Sequence, residues 1–145
     1  MTHASAPPQA DVVIRSAVPT FLVADVANTA RWYAANLGFR TAGAVPPREP
    51  HAYASLQRGP AEIMLLALAD YQKPDLRAWR PSGLWDAYIR VDHVNALHQT
   101  VEGKAFVQMP LTHQSYGDWE FEVCDPNGYI LVFGGDAHIG NDGAV

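Results

Sequence analysis

Six histidines, one cysteine and fifteen acidic residues are the groups in this 145-residue chain that could ligate a metal, move a proton or attack a substrate. His93 and His98 are five residues apart, which on a helix turning about 100° per residue puts them on different faces, unlike an i, i+4 pair that clasps zinc. Both are expected to face solvent. His3 and His138 fall in the end stretches, whereas His51 and His113 sit in loops or strand starts, where either can line a cleft. Cys124 precedes Asp125 with no His or Lys placed by the sequence to lower its pKa, so it is expected to pack as a small hydrophobe. With no second cysteine there is no disulfide, and a single thiol fits a reducing, cytoplasmic setting. Glu120 and Glu122 alternate with Phe121 and Val123, which puts the two carboxylates about 6.6 Å apart on one strand face. That proximity is costly without a cation or water nearby, and either group could instead serve as a general base. No serine elbow, phosphate-cradling loop or dinucleotide fingerprint is present, because Gly134-Gly135 closes a strand and opens no helix. No residue is assigned as catalytic.

The elements that must position these groups come in two passes. In the first, Ala17 to Val23 reads as a strand made irregular by Pro19, and Asp25 then caps a helix whose apolar stripe is Val26, Ala30, Tyr33 and Leu37 and whose stop is Gly38. A short strand follows Phe39, and His51 to Gln57 and Glu62 to Leu68 form a hairpin around Arg58-Gly59-Pro60-Ala61. In the second pass Ala87, Ile89 and Val91 alternate along a strand and Asp92 caps a helix striped by Val94, Leu97, His98 and Val101. Ala105 to Met109 is the next strand, and Trp119 to Cys124 and Tyr129 to Phe133 flank the turn Asp125-Pro126-Asn127-Gly128. The motif Phe21-x-Val23-x-x-Val26 returns 68 residues on as Ile89-x-Val91-x-x-Val94, so the chain is a duplicated module.

The expected fold is therefore α+β: two tandem βαβββ modules, 12–69 and 85–136, joined by a linker at 70–84, within one domain spanning 1–145 with tails at 1–11 and 137–145. One helix covers one face of four strands. The other faces curl as a mixed sheet around a cup-shaped cleft. Alternation turns Asp86, Tyr88 and Arg90 into that cup in the second module, together with Glu120, Glu122 and Cys124. In the first module it offers Tyr53 and Ser55, with Ile63 and Leu65 as apolar wall. Trp79 and Trp85 bracket the linker, where an indole can stack on a flat or cationic ligand.

Composition narrows the partners. Ten Lys and Arg against fifteen Asp and Glu, with no basic cluster, leave no footprint for a nucleic-acid backbone. No apolar run approaches the roughly 18 residues of a membrane span. The open cup and free strand edges point to closure by a second copy, a homodimer.

Three segments together resemble the vicinal oxygen chelate superfamily, the group of glyoxalases, extradiol dioxygenases and bleomycin resistance proteins. They are Val23-Ala24-Asp25-Val26 with Trp32-Tyr33 and Leu37-Gly38-Phe39, then Tyr88-Ile89-Arg90-Val91-Asp92 with Val94 and Leu97, then Tyr116-Gly117-Asp118-Trp119-Glu120-Phe121 through Asp125-Pro126-Asn127-Gly128-Tyr129. The resemblance implies a paired-module cup, a dimer and, in the enzymes, a divalent metal held by four strand positions. By register these correspond to Val18, Leu65, Asp86 and Val132, three of which cannot ligate a metal. The resulting expectation is the bleomycin resistance branch: no metal, no cofactor, and sequestration of an aromatic or cationic antibiotic-like small molecule. The alternative is a metal-dependent lyase, isomerase or dioxygenase, or a metal-free enzyme using Glu120 or Glu122 as base.

Overall fold

A computed structural model describes residues 11–137. The first strand, β1 (Thr20–Val23), begins only after Pro19, whose ring nitrogen has no hydrogen to give a ladder, although its carbonyl accepts from the Met64 N–H at 3.0 Å. The expected start at Ala17 is thus three residues early. Helix α1 (Val26–Leu37) has the predicted anatomy: Asp25 accepts from the Asn28 N–H at 3.0 Å, and Gly38 ends it at φ 69°. The strands β2 (Arg40–Val45), β3 (Tyr53–Arg58) and β4 (Ala61–Ala67) complete a sheet ordered β1-β4-β3-β2, with β1 and β4 parallel.

The second half repeats this plan as β5 (Ala87–Arg90), α2 (Val94–Gln99), β6 (Val107–His113), β7 (Trp119–Cys124) and β8 (Ile130–Gly135), ordered β5-β8-β7-β6. Thr20 lies opposite Met64 as Tyr88 lies opposite Val132, so both pairs are related by the 68-residue repeat. Two local readings differ. Helix α2 is capped by His93, at φ 59° and without a side-chain cap bond, rather than by Asp92. Edge strand β6 runs on through Pro110 to His113, with register breaks at Met109 that accommodate a residue lacking an N–H.

Phe21, Val23, Leu56, Ile63 and Leu65 from one sheet and Phe121, Val123, Leu131 and Phe133 from the other form one continuous core with Tyr33 and Leu37 of α1 and Val94 of α2. His98 belongs to this interior. It lies four residues after Val94, its ring meets Phe121 edge-on at 5.2 Å, and its Nε2 accepts from the Leu111 N–H at 3.4 Å, which corrects the expectation that it faces solvent.

The β7–β8 turn clasps the first module. Asp125 accepts from the Tyr33 hydroxyl at 2.7 Å and from the N–H groups of Asn127 and Tyr129 at 2.8 and 2.9 Å. The Asn127 side chain donates to Thr29 at 3.0 Å, and Tyr129 stacks on Phe21 at 4.1 Å while its hydroxyl donates to the Leu22 carbonyl at 2.7 Å. The end of β1 is thereby held beside the start of β8. A hollow bordered by Val18, Pro19 and Glu62 on one side and Tyr88 to Arg90 on the other sets the beginning of β1 beside the end of β5.

Candidate functional site

The underside of the second sheet is apolar and faces the helices; its other face carries the polar groups. Strand pairing aligns Tyr88, Val132 and Glu122 in one row across β5, β8 and β7, and Arg90, Gly134 and Glu120 in the next. A cavity of about 570 Å³ opens over the second row, lined by Trp85, Tyr88, Arg90, Tyr116, Asp118 and Glu120. Gly134 makes room for it. A Cβ there would lie 2.0 Å from the Tyr88 hydroxyl and 3.1 Å from Glu120 Cγ, so only a hydrogen lets the phenol lie across the sheet.

Glu120 is 1% exposed, and both its oxygens are occupied: Oε2 accepts from the Tyr88 hydroxyl and Oε1 from the Tyr116 hydroxyl, each at 2.6 Å. Phenol donors thus satisfy the buried carboxylate, as a buried charge requires. The effect on the phenols is reciprocal. Burial first, and then the Glu120 bond and charge, lift the Tyr88 pKa well above the usual phenol range, while the Glu120 bond, helped by burial, pushes Tyr116 up to about 12. Asp118 stands 3.4 Å from the Tyr88 hydroxyl and 3.8 Å from the Arg90 guanidinium, which also lies over the Tyr88 ring at 5.4 Å. Glu122 is half-buried, and desolvation raises its pKa against the donor effect of the Trp85 indole. Trp85 leans on Tyr88 at 5.4 Å. The wall is aromatic and the floor anionic, with the exposed Arg90 at the rim.

The other expected site residues are distributed differently. Asp86 accepts from the Ile130 N–H at 2.8 Å and pairs with Lys73 at 3.4 Å, so it lines a separate hollow of about 270 Å³ under the linker, shared with Trp85. Trp79 is 79% exposed and borders neither hollow. Tyr53 and Ser55 alternate with the core residues Ala54 and Leu56 and so lie on the other face of the first sheet, Ser55 donating to Glu62 at 2.6 Å, and do not line the 570 Å³ cavity. Leu65 and Ile63 are buried in the core against α1, which corrects the expectation that they form an apolar cup wall; Met64 and Leu66 alternate with them along β4 and take the opposite face. Tyr116 and Asp118 line the cavity, and Lys73 the separate hollow, though the sequence does not single them out. The Tyr-Gly-Asp run entering β7 was the available signal for the first two.

The corrected register also moves one of the four positions at which enzymes with this fold hold a metal. Met64, opposite Thr20, is the 68-residue counterpart of Val132, and these two with Val18 offer no oxygen, imidazole or thiolate. Asp86 is held by Lys73 and a backbone N–H, and among the described residues no three His, Cys, Asp or Glu side chains converge as a metal site. This donor set does not fit a divalent ion of that kind.

Two βαβββ modules, each a four-stranded mixed sheet with a helix packed on one face and the other face open, make up this architecture. The chain belongs to the Glyoxalase/Bleomycin resistance protein/Dioxygenase superfamily, whose family model matches residues 15–133. Among solved structures, a glyoxalase-related enzyme from Clostridium phytofermentans is 17% identical, with 86% of this chain and 96% of that chain covered at a TM-score of 0.64. A bleomycin resistance determinant encoded on the transposon Tn5 is 17% identical, covering 87% and 100% at 0.62. A bleomycin-binding protein from bleomycin-producing Streptomyces verticillus, solved with copper(II)-bleomycin, is 21% identical, covering 84% and 96% at 0.60. These likenesses show the fold. No curated protein sequence matches the chain.

Proposed function

We propose that this protein binds an aromatic, cationic, antibiotic-like small molecule and sequesters it without chemical change, using no protein-held metal. The observation that carries this reading is the cavity at β5 and β7, where Trp85, Tyr88 and Tyr116 surround the buried carboxylate of Glu120. Such walls offer contact area and cation–π attraction, and carbon side chains stand where related enzymes would need electron-pair donors. The bleomycin-binding relatives of the same fold support the class of ligand. We further propose that the working unit is a cytoplasmic homodimer. Leu22 and Leu66 lie exposed beside Tyr53 on the face of the first sheet away from the core, a surface that a second copy can bring over the second-module cavity.

A thermal-shift and calorimetric screen of metal-free bleomycin, aromatic amines and neutral aromatics tests the reading, since anything bound only by the native state raises Tm by mass action. Stabilisation by cationic aromatics, with the compound recovered unchanged by mass spectrometry, is expected. Stoichiometric divalent metal retained through purification, or a ligand returned as product, would reverse the choice. The second outcome fits a metal-free enzyme, for which the pKa of Glu122, raised by burial, is the supporting observation. Sedimentation as a monomer at micromolar concentration would remove the dimer.

A further inference from the structure

The two phenols that satisfy Glu120 are not equivalent. Tyr88 belongs to β5, its hydroxyl packs against Gly134 and the Arg90 guanidinium covers its ring, so the Oε2 bond is fixed by the sheet. Tyr116 comes from the loop between β6 and β7, next to Gly117 at φ 104°, and is 60% exposed while its hydroxyl reaches in to Oε1. One bond is built into the scaffold; the other is made by a side chain standing at the mouth of the cavity. Swinging that side chain outward leaves a buried carboxylate oxygen without a donor, which is costly unless another donor replaces it. A charged N–H is the strongest available replacement, because it gives the carboxylate an opposite charge as well as a hydrogen bond, whereas the phenol gives only the bond. Asp118 at the same wall and Glu122 two residues along β7 add negative charge against the one rim cation, Arg90.

Resting on the cation-binding reading above, we infer that the Tyr116 hydroxyl holds on Glu120 the place of a charged N–H donor of the ligand, so that the cavity selects flat aromatic cations carrying N–H groups, amidinium or primary ammonium, over cations without them. The ligand donor takes Oε1, Tyr116 moves outward to cover the ligand, and Tyr88 keeps Oε2. Cation charge alone does not meet this requirement, since a quaternary ammonium has no hydrogen to offer the oxygen.

Three probes of similar size separate the contributions: benzamidinium, its neutral isostere benzamide, and benzyltrimethylammonium, which is charged but has no N–H. Binding is followed by ligand-observed NMR and tryptophan fluorescence on the full chain and on Tyr116→Phe, Tyr116→Ala and Glu120→Gln, with Tm confirming that each variant is folded. Benzamidinium is expected to bind tightest to the natural protein. Tyr116→Phe keeps the ring but removes the competing hydroxyl, so it should raise benzamidinium affinity about tenfold or more, the worth of one hydrogen bond to a charged group, and leave the other two probes within about twofold. Tyr116→Ala should loosen all three by loss of the ring yet keep the order, and Glu120→Gln should erase the preference for benzamidinium. A Tyr116→Phe variant that binds benzamidinium no better than the natural protein, or equal affinity for benzamidinium and benzyltrimethylammonium, overturns the displacement inference while leaving the cation reading intact. A benzamidinium affinity no higher than that of benzamide, including no binding by either, overturns the cation reading itself.

Discussion

Replacing Tyr33 by Phe removes one oxygen from the interior and nothing else. Tyr33 is fully buried, and among the described residues its hydroxyl is the side-chain donor to Asp125 Oδ2, at 2.7 Å; the two backbone N–H groups reach Oδ1. The variant therefore strands a buried, charged oxygen. Hydrogen bonds to charged groups contribute about 1.5–3 kcal/mol, and the desolvation already borne by Asp125 places the loss toward the upper part, about 2–3 kcal/mol. At about 4 °C per kcal/mol for a domain of this size, Tm should fall by about 8–12 °C. The loss also depends on pH. Burial raises the Asp125 pKa while the Tyr33 bond lowers it, so removing Tyr33 raises the folded pKa further. A raised folded pKa gives stability that is full below the unfolded value of about 3.9 and is lost as pH climbs through the folded one. The deficit of Tyr33→Phe should accordingly be larger near pH 7 than near pH 4. Urea unfolding at both pH values, in a cycle with Asp125→Asn, measures it, and the double variant should lose less than the two single variants added together. A deficit under about 0.5 kcal/mol, or one of equal size at both pH values, would refute the account of the clasp.

Gly134→Ala pushes a methyl into the Tyr88 hydroxyl and forces it off Glu120 Oε2, so the fold should survive with about 1–3 kcal/mol lost while probe binding at the Glu120 cavity falls; unchanged binding would contradict the role of the glycine. Trp85 reports on Glu122: its emission should titrate with a midpoint above the ordinary glutamate value of about 4.3, read as the difference between the natural protein and Trp85→Phe, because burial raises that carboxyl. In stability terms the raised Glu122 pKa works against the folded state as pH climbs through it, so Glu122→Gln should gain stability toward neutral pH relative to the natural chain, and a loss there would show that the neighbouring Trp85 indole outweighs desolvation.

The legible parts of the molecule were those with a single periodic solution. Helix α1 announced itself through Asp25, the Val26-Ala30-Tyr33-Leu37 stripe and Gly38, and the alternation of Glu120 and Glu122 with Phe121 and Val123 fixed which face of β7 is polar. In β4 the run Ile63-Met64-Leu65-Leu66 is apolar on both faces, so a period of two carries no phase, and Leu65 was placed on the wrong side. His98 lay within the apolar stripe of α2, but polarity argued for solvent; the structure shows an imidazole with an acceptor role to fill and an aromatic neighbour to lie against. Tyr116 and Lys73 come from a loop and a linker, whose paths depend on what they pack against and leave no periodic trace in the chain. The acidic pair suggests a need for a cation, whereas the phenol hydrogens on Glu120 meet part of that need from within the chain.

The contacts made by the Asp125-to-Tyr129 corner span 92, 98 and 107 residues of chain, from Tyr33, Thr29 and Leu22 respectively. During synthesis the first half must therefore wait on the ribosome with Phe21 and the Tyr33 hydroxyl lacking their mates until almost the last hairpin has emerged. Long-range closure of this sort is slow, and an N-terminal fragment ending in the linker would present a sticky, unfinished surface. Duplication gave the two halves the same plan, yet this corner has made each half's maturation depend on the other's arrival.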